Sequence, residues 1–177
     1  MKGQISFVEF LVTTTVFISF IGYFSFQLIN FYPLYLSEIR NERIRSEAYQ
    51  ISEILVDDPG YPMNWNAVGG VQRLGLSDET KNKTNVLSLN KITAIGDGTN
   101  LCKPGYDTVK KWLGSAYDFS IVLTRKIPSE MILINCRPPP SPLKAINTTV
   151  RRIVSFDSSY GELIVQMWCY ERNNEHD

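Results

Sequence analysis

The chain has 177 residues, of which 44% are hydrophobic, and its 18 acidic residues equal its 18 basic residues in number. This balance leaves no excess positive charge for a polyanion, so no nucleic-acid partner is predicted. The length accommodates one membrane segment and one soluble domain of about 120 residues, which is large enough to bury a core of its own.

An uncharged run lies between Glu9 and Glu38. A hydrocarbon core about 30 Å thick requires about 20 apolar residues at about 1.5 Å of rise each, and this run is long enough to cross it. In lipid only a helix satisfies the backbone of a single span, so we predict a transmembrane helix over residues 4–37. The alternatives are a buried core helix and a cleaved secretory signal, and both are typically shorter.

The run is preceded by a short polar segment and an isolated acid: Lys2-Gly3-Gln4-Ile5-Ser6 and then Glu9. This beginning resembles the signal of archaeal type IV pilin-like precursors of the Gln-x-Ser (class III) kind. The resemblance implies that prepilin peptidase cuts between Gly3 and Gln4, which removes a leader of residues 1–3 and leaves the hydrophobic helix on the mature protein. The family places its glutamate four residues after the glutamine, whereas the interval here is five.

Glu9 is the acidic residue for which the sequence suggests a functional role. A carboxylate inside an apolar helix costs about 2.5–3.5 kcal/mol on the insertion scale, so it requires a partner. The resemblance implies that this partner is the new terminal amine of a neighbouring subunit, which neutralises the charge as helices bundle into a filament. The alternative is that Glu9 lies at the headgroup boundary.

The orientation of the span involves a conflict. Only Lys2 precedes the span, while three basic residues follow it closely: Arg40, Arg43 and Arg45. A count of basic residues therefore places the following domain inside the cell. The resemblance implies the opposite orientation, with the peptidase acting on the cytoplasmic side and the head outside, first on the membrane and then on a surface filament.

The helix is predicted to continue beyond the span over residues 38–57. Four apolar residues recur there at helical spacing and form one stripe that the head must cover: Ile44, Ala48, Ile51 and Leu55. Pro33 removes an intrahelical hydrogen bond and should kink the axis. Asp57-Asp58-Pro59-Gly60 ends the helix, because proline cannot continue it and glycine supplies the turn.

Residues 58–177 are predicted to form the extracytoplasmic head. Tyr61 and Trp65 are interpreted as a packed corner over the helix end, with a sugar-stacking surface loop as the alternative. Residues 66–84 are predicted as loop, residues 86–92 fit a short helix and a strand equally well, and residues 103–114 predict a short helix.

Apolar residues then alternate with a period of two, which predicts two antiparallel hairpins: 117–124 with 131–136, and 145–157 with 162–170. The proline-rich segment 138–142 between them cannot join a sheet ladder and is predicted as an extended connection. The predicted fold class is α+β, with a long N-terminal hydrophobic helix packed against a four-stranded antiparallel sheet. The resemblance agrees, since this is the lollipop layout of type IV pilins.

Three cysteines and two glycosylation triplets lie in the head and fit an extracytoplasmic location. The triplets begin at Asn82 and Asn147. The cysteines admit three pairings, and the strand faces do not decide among them. We favour Cys102 with Cys136, because the apolar neighbours of Cys169 suggest that it is a buried core thiol.

The sequence contains no recognisable catalytic or cofactor-binding motif. The single histidine, His176, lies in a polar tail, and the cysteines do not have zinc-ligand spacing. No catalytic residue, metal or cofactor is therefore predicted. The chain is interpreted as a non-catalytic structural subunit of an archaeal type IV filament, with the membrane, prepilin peptidase and other pilin subunits as partners. The alternative is a membrane-anchored extracytoplasmic binding or sensor domain that does not polymerise.

Overall fold

The computed structural model describes residues 2–81, 83–96, 102–138 and 146–169. These residues belong to two compact units, Met1–Glu42 and Arg43–Asp177. The chain is an α+β protein in which a long hydrophobic N-terminal helix is followed by a four-stranded antiparallel sheet, as predicted.

The first helix, α1, spans Lys2–Asp57 and therefore contributes to both units. Pro33 lies inside it, and the helix continues on both sides of this residue. The change of axis at Pro33 stays a prediction, as do the predicted boundaries at residues 3, 37 and 57. The first unit consists of α1 as far as Glu42, whereas Arg43–Asp57 packs within the second unit.

The sheet consists of β1 (Asp118–Arg125), β2 (Met131–Cys136), β3 (Ile146–Phe156) and β4 (Ser159–Cys169). The spatial order is β2-β1-β4-β3, and every neighbouring pair is antiparallel. Both predicted hairpins are therefore confirmed. The second hairpin turns earlier than predicted, because Asp157 and Ser158 both have positive φ angles (43° and 63°), which is typical of a tight two-residue hairpin turn.

Within the described residues, three short helices precede the sheet: α2 (Trp65–Val68), α3 (Leu89–Ile95) and α4 (Tyr106–Leu113). The last of these is the helix predicted from residues 103–114, and Gly114 ends it in the left-handed conformation. The ambiguous segment 86–92 combines both predicted conformations. Val86 and Leu87 form isolated β-bridges with Ser155 and Ser77, and the helix begins two residues later.

The core of the second unit lies between the end of α1 and one face of the sheet. The predicted helical stripe is fully buried there (Ile44, Ala48, Ile51 and Leu55), and the sheet contributes alternate residues of its two central strands: Phe119, Ile121, Leu123, Leu163, Val165 and Met167. Each large side chain buried in this way contributes roughly 1.5–3 kcal/mol. The apolar residues that follow the helical period of 3.6 and those that follow the strand period of two therefore pack in one core.

Polar contacts attach the last part of α1 to the head. Glu47 Oε1 accepts hydrogen bonds from the Ser115 hydroxyl at 2.7 Å and the Ala116 amide at 3.0 Å. The guanidinium of Arg152 lies 4.5 Å from the centroid of the Tyr49 ring, and its Nε donates to the buried hydroxyl of Ser52 at 3.3 Å. These contacts fix Arg43–Asp57 against the sheet in addition to the apolar packing.

The corner after α1 is packed by only one of the two predicted aromatics. Trp65 is buried, its indole N–H donates to the Gly75 carbonyl at 3.0 Å, and its ring lies 6.4 Å from that of Trp112. Tyr61 is 55% exposed, so the prediction that it covers the helix end is wrong. Its backbone pairs with Arg73 through an isolated β-bridge, while its side chain remains at the surface.

Candidate membrane and assembly segment

The surface of α1 in the first unit is apolar on every side. Its large apolar side chains from Phe7 to Leu36 are each between 42% and 71% exposed, and the consecutive residues Val16, Phe17 and Ile18, which point in three different directions, are among them. The most hydrophobic 18-residue window has a mean hydropathy of 1.7, and none of it is buried. A helix that is apolar all round requires an apolar environment outside itself, such as lipid or other helices. This helix is long and apolar enough to cross a membrane.

Hydroxyl groups in this segment are satisfied within the helix itself. Thr13, Thr14, Thr15 and Ser19 each donate a hydrogen bond to the backbone carbonyl four residues earlier, at 2.8–2.9 Å. Because each hydroxyl donor has an acceptor in the same helix, these residues are compatible with a hydrophobic environment. The TTT sequence therefore does not argue against a membrane location.

Glu9 is exposed on the apolar helix, and among the side chains that the structure describes, which begin at Phe7, no cation lies within ion-pairing distance of its carboxylate. Its backbone carbonyl accepts the hydroxyl of Thr13 at 2.9 Å. Gly3 and Gln4, the predicted processing site, lie in the first turn of α1. The carboxylate is therefore available to a partner from outside this chain, while the cut itself stays a prediction.

Two carboxamides also lie within the apolar segment. Gln27 Nε2 donates to the hydroxyl of Tyr23 at 2.9 Å, one helical turn away. Asn30 is exposed, and its side chain makes no hydrogen bond to the part of the chain that the structure describes. Carboxamides have more donors and acceptors than one intrahelical bond can satisfy, so both side chains retain hydrogen-bonding capacity.

A disulfide in the head joins Cys102 to Cys136, with the two Cα atoms 4.8 Å apart. Both side chains are buried, and the bond connects the segment before α4 to the end of β2. Cys169 is half-buried at the end of β4 and packs against the edge of the core, so it is less enclosed than the core thiol that the sequence predicts.

The remaining predicted positions have different outcomes. Asn147 is exposed on β3, where its side chain is accessible. Asn82, His176 and most of the proline-rich connection lie outside the described residues. Within the described ranges, no group of three or more histidine, cysteine, aspartate or glutamate side chains is placed to hold a metal ion.

Sequence reasoning missed a buried cation in the head. Lys91 on α3 is only 1% exposed, and its ammonium donates to the carbonyls of Pro59 and Ser77 at 3.0 Å each and to Glu79 Oε2 at 2.5 Å. Partial burial raises the pKa of Glu79, but the hydrogen bond from Lys91, a backbone hydrogen bond and the charge of Lys91 together outweigh it and lower the pKa of the carboxyl. The ammonium thereby holds the loop after α1 against α3. No spacing in the sequence distinguishes Lys91 from a surface lysine.

No family model matches the chain, and no solved structure matches it. The chain is 33% identical over 98 residues to an uncharacterised protein of Archaeoglobus fulgidus, and the match covers 48% of this chain and 50% of that protein. The chain thus matches about half the length of this archaeal relative.

Proposed function

We propose that the chain is a non-catalytic, pilin-like subunit of an archaeal type IV surface filament. It is inserted in the membrane with its head outside, cut by prepilin peptidase between Gly3 and Gln4, and assembled through its hydrophobic helix. The observation that carries this proposal is the first part of α1, which exposes apolar side chains in every direction together with the carboxylate of Glu9, for which the described side chains supply no cation.

The physical case for assembly combines an exposed apolar surface with one charge inside the apolar segment. In a bilayer the helix is accommodated by lipid, but Glu9 still costs about 2.5–3.5 kcal/mol on the insertion scale. Helices that pack around one another keep the apolar surface away from water and can supply a cation to the carboxylate. A neighbour's terminal amine, created by the proposed cut, would be such a cation.

The cysteines support the proposed location of the head. A disulfide such as Cys102–Cys136 is typical of extracytoplasmic proteins, because the cytosol keeps thiols reduced. This argues for an outside head against the count of Arg40, Arg43 and Arg45. The relative from Archaeoglobus fulgidus comes from an archaeon, which agrees with the class of precursor that the first residues resemble.

The second candidate function is a membrane-anchored extracytoplasmic binding or sensor domain that does not polymerise. Two observations favour it: the three arginines after the span, and the interval of five rather than four residues between Gln4 and Glu9. In this case Glu9 would lie at the headgroup boundary and α1 would act only as an anchor.

Mass spectrometry of the mature amino terminus distinguishes the two functions. Protein isolated from membranes of an archaeal host with a prepilin peptidase should begin at Gln4. Gly3→Phe should block the cut and retain the leader, whereas Gly22→Ala, a control in the middle of the span where no neighbouring atom lies within 4 Å of the added carbon, should be cut normally. Wild-type protein that is correctly localised but begins at Met1 or Lys2 would refute the pilin-like proposal and favour the anchor.

A further inference from the structure

The carboxylate and the two carboxamides of the apolar segment lie on one side of the helix, whereas its threonine and serine hydroxyls point in several directions. Gln27 lies eighteen residues after Glu9, which is about five full turns, so the two side chains lie on the same line along the helix. At about 100° per residue, Asn30, Tyr23 and Ser19 all fall within about 80° of that line. We call this set (Glu9, Ser19, Tyr23, Gln27 and Asn30) the polar stripe.

The opposite side of the helix has a different character. Ile18, Ile21 and Leu28 lie there, about 140–160° around the helix from the middle of the polar stripe, and all three are exposed. Such side chains are fully compatible with lipid and need no specific partner. The helix is therefore apolar around most of its circumference and carries its carboxylate and carboxamide groups on one side.

Hydrogen bonding within the helix satisfies the polar stripe only in part. The Ser19 hydroxyl donates to the Thr15 carbonyl at 2.8 Å, and one amide proton of Gln27 is used by Tyr23. The side-chain carbonyl of Gln27 and the whole carboxamide of Asn30 receive no bond from the described residues. Lipid chains cannot supply one, and polar groups of this kind promote helix association in membranes.

We propose that the polar stripe is the face through which α1 binds the same helix of a second copy of this chain, with Gln27 and Asn30 forming hydrogen bonds between the two helices. The inference rests on the proposed function and identifies the helix face that assembly uses. A second copy fits best because carboxamides both donate and accept, so identical stripes are complementary. Copies inserted in the same orientation also hold these residues at the same depth.

Cysteine crosslinking of the full-length protein in native membranes tests the face directly. In a Cys169→Ser background, Ser19→Cys and Gln27→Cys place a thiol on the polar stripe. Ile21→Cys and Leu28→Cys place one on the opposite side at nearly the same depths. After mild oxidation, we expect the first two variants to form several-fold more crosslinked dimer than their controls.

A second measurement uses energy transfer between labelled full-length copies in liposomes. Replacing Gln27 and Asn30 together by leucine should weaken association about tenfold, in the range measured for interhelical hydrogen bonds in membranes. Leu28→Ile, which changes the opposite side, should leave association unchanged. Unchanged association of the double variant would overturn the inference.

The crosslinking outcomes also separate this inference from the proposed function. Crosslinks that are equal on both sides, or stronger through Ile21→Cys and Leu28→Cys, would refute the polar stripe as the interface and leave filament assembly intact. Absence of crosslinks at all four positions in correctly inserted protein would refute both, because the helices would not be neighbours at all.

Discussion

Lys91→Met is the sharpest test of how the head is held together. The ammonium of Lys91 donates to two backbone carbonyls and to the Glu79 carboxylate, so methionine removes three hydrogen bonds while keeping a similar volume. Removing one partner of a buried ion pair costs about 3–5 kcal/mol. The Glu79 side chain is 35% exposed and can be partly rehydrated, so we expect a loss at the lower end, about 3 kcal/mol.

Thermal unfolding of the full-length protein in detergent measures this loss. All three tryptophans lie in the second unit, so their fluorescence reports on the head. For a domain of this size, 1 kcal/mol corresponds to about 2–4 °C in Tm, so Lys91→Met should lower Tm by roughly 10 °C. Glu79→Gln keeps an acceptor for the ammonium but leaves the buried charge of Lys91 without a counter-ion, so it should also cost about 3 kcal/mol.

Lys81→Met is the matched control. Lys81 is half-exposed and lies 3.6 Å from Asp78, an arrangement that contributes less than about 1 kcal/mol. The control should therefore unfold within about 3 °C of the wild type. If Lys91→Met is no less stable than Lys81→Met, the buried ammonium does not hold the loop in place, and the reasoning fails.

Three further predictions concern assembly, the disulfide and acid. Glu9→Gln should insert normally but form no filaments in electron micrographs, whereas the control Glu38→Gln, at the far end of the span, should form them. Normal filaments from Glu9→Gln would contradict the pairing of the Glu9 charge with a neighbouring subunit. Cys102→Ser should destabilise the head by about 2–5 kcal/mol in thermal unfolding, and reductant should then have little further effect on that variant. The folded state lowers the pKa of Glu79 below its ordinary value of 4.5. The ionised carboxylate therefore contributes its full stabilisation of the head above about pH 4.5, and this stabilisation is lost as the pH falls through the folded pKa. Glu79→Gln should flatten the curve of unfolding free energy against pH in this range.

Local patterns predicted much of the fold. The helical stripe beginning at Ile44 and the alternation along the strands both reflect one buried face per element, so their periods are visible in the sequence. The strand order β2-β1-β4-β3 was not predictable in this way, because pairing between β1 and β4 joins residues far apart in the chain. The segment around Val86 was ambiguous for a physical reason, since it changes from β-bridges to helix within three residues.

The apolar segment with Glu9 could be predicted from the sequence, whereas the roles of individual residues in the head could not. Glu9 and the apolar run are evident from composition alone, because a charge inside such a run is rare. The roles of Lys91 and Arg152 depend on contacts with distant segments, and lysine and arginine are usually found at the surface. Tyr61 is the opposite case, a residue that the sequence suggested is packed but that lies at the surface. Its position at a corner suggested packing, whereas its ring is exposed and only its backbone pairs with Arg73.

If the head is exported, as we propose, the Cys102–Cys136 disulfide determines the order in which its parts can be joined. The bond encloses all of α4 and β1, so an exported head cannot close it until Cys136 has crossed the membrane. By then α1 and three-quarters of the chain have been made, whereas β3 and β4 are still to follow. The sheet is therefore completed only after its first hairpin has emerged, and the covalent lock can form before the central pairing of β1 with β4.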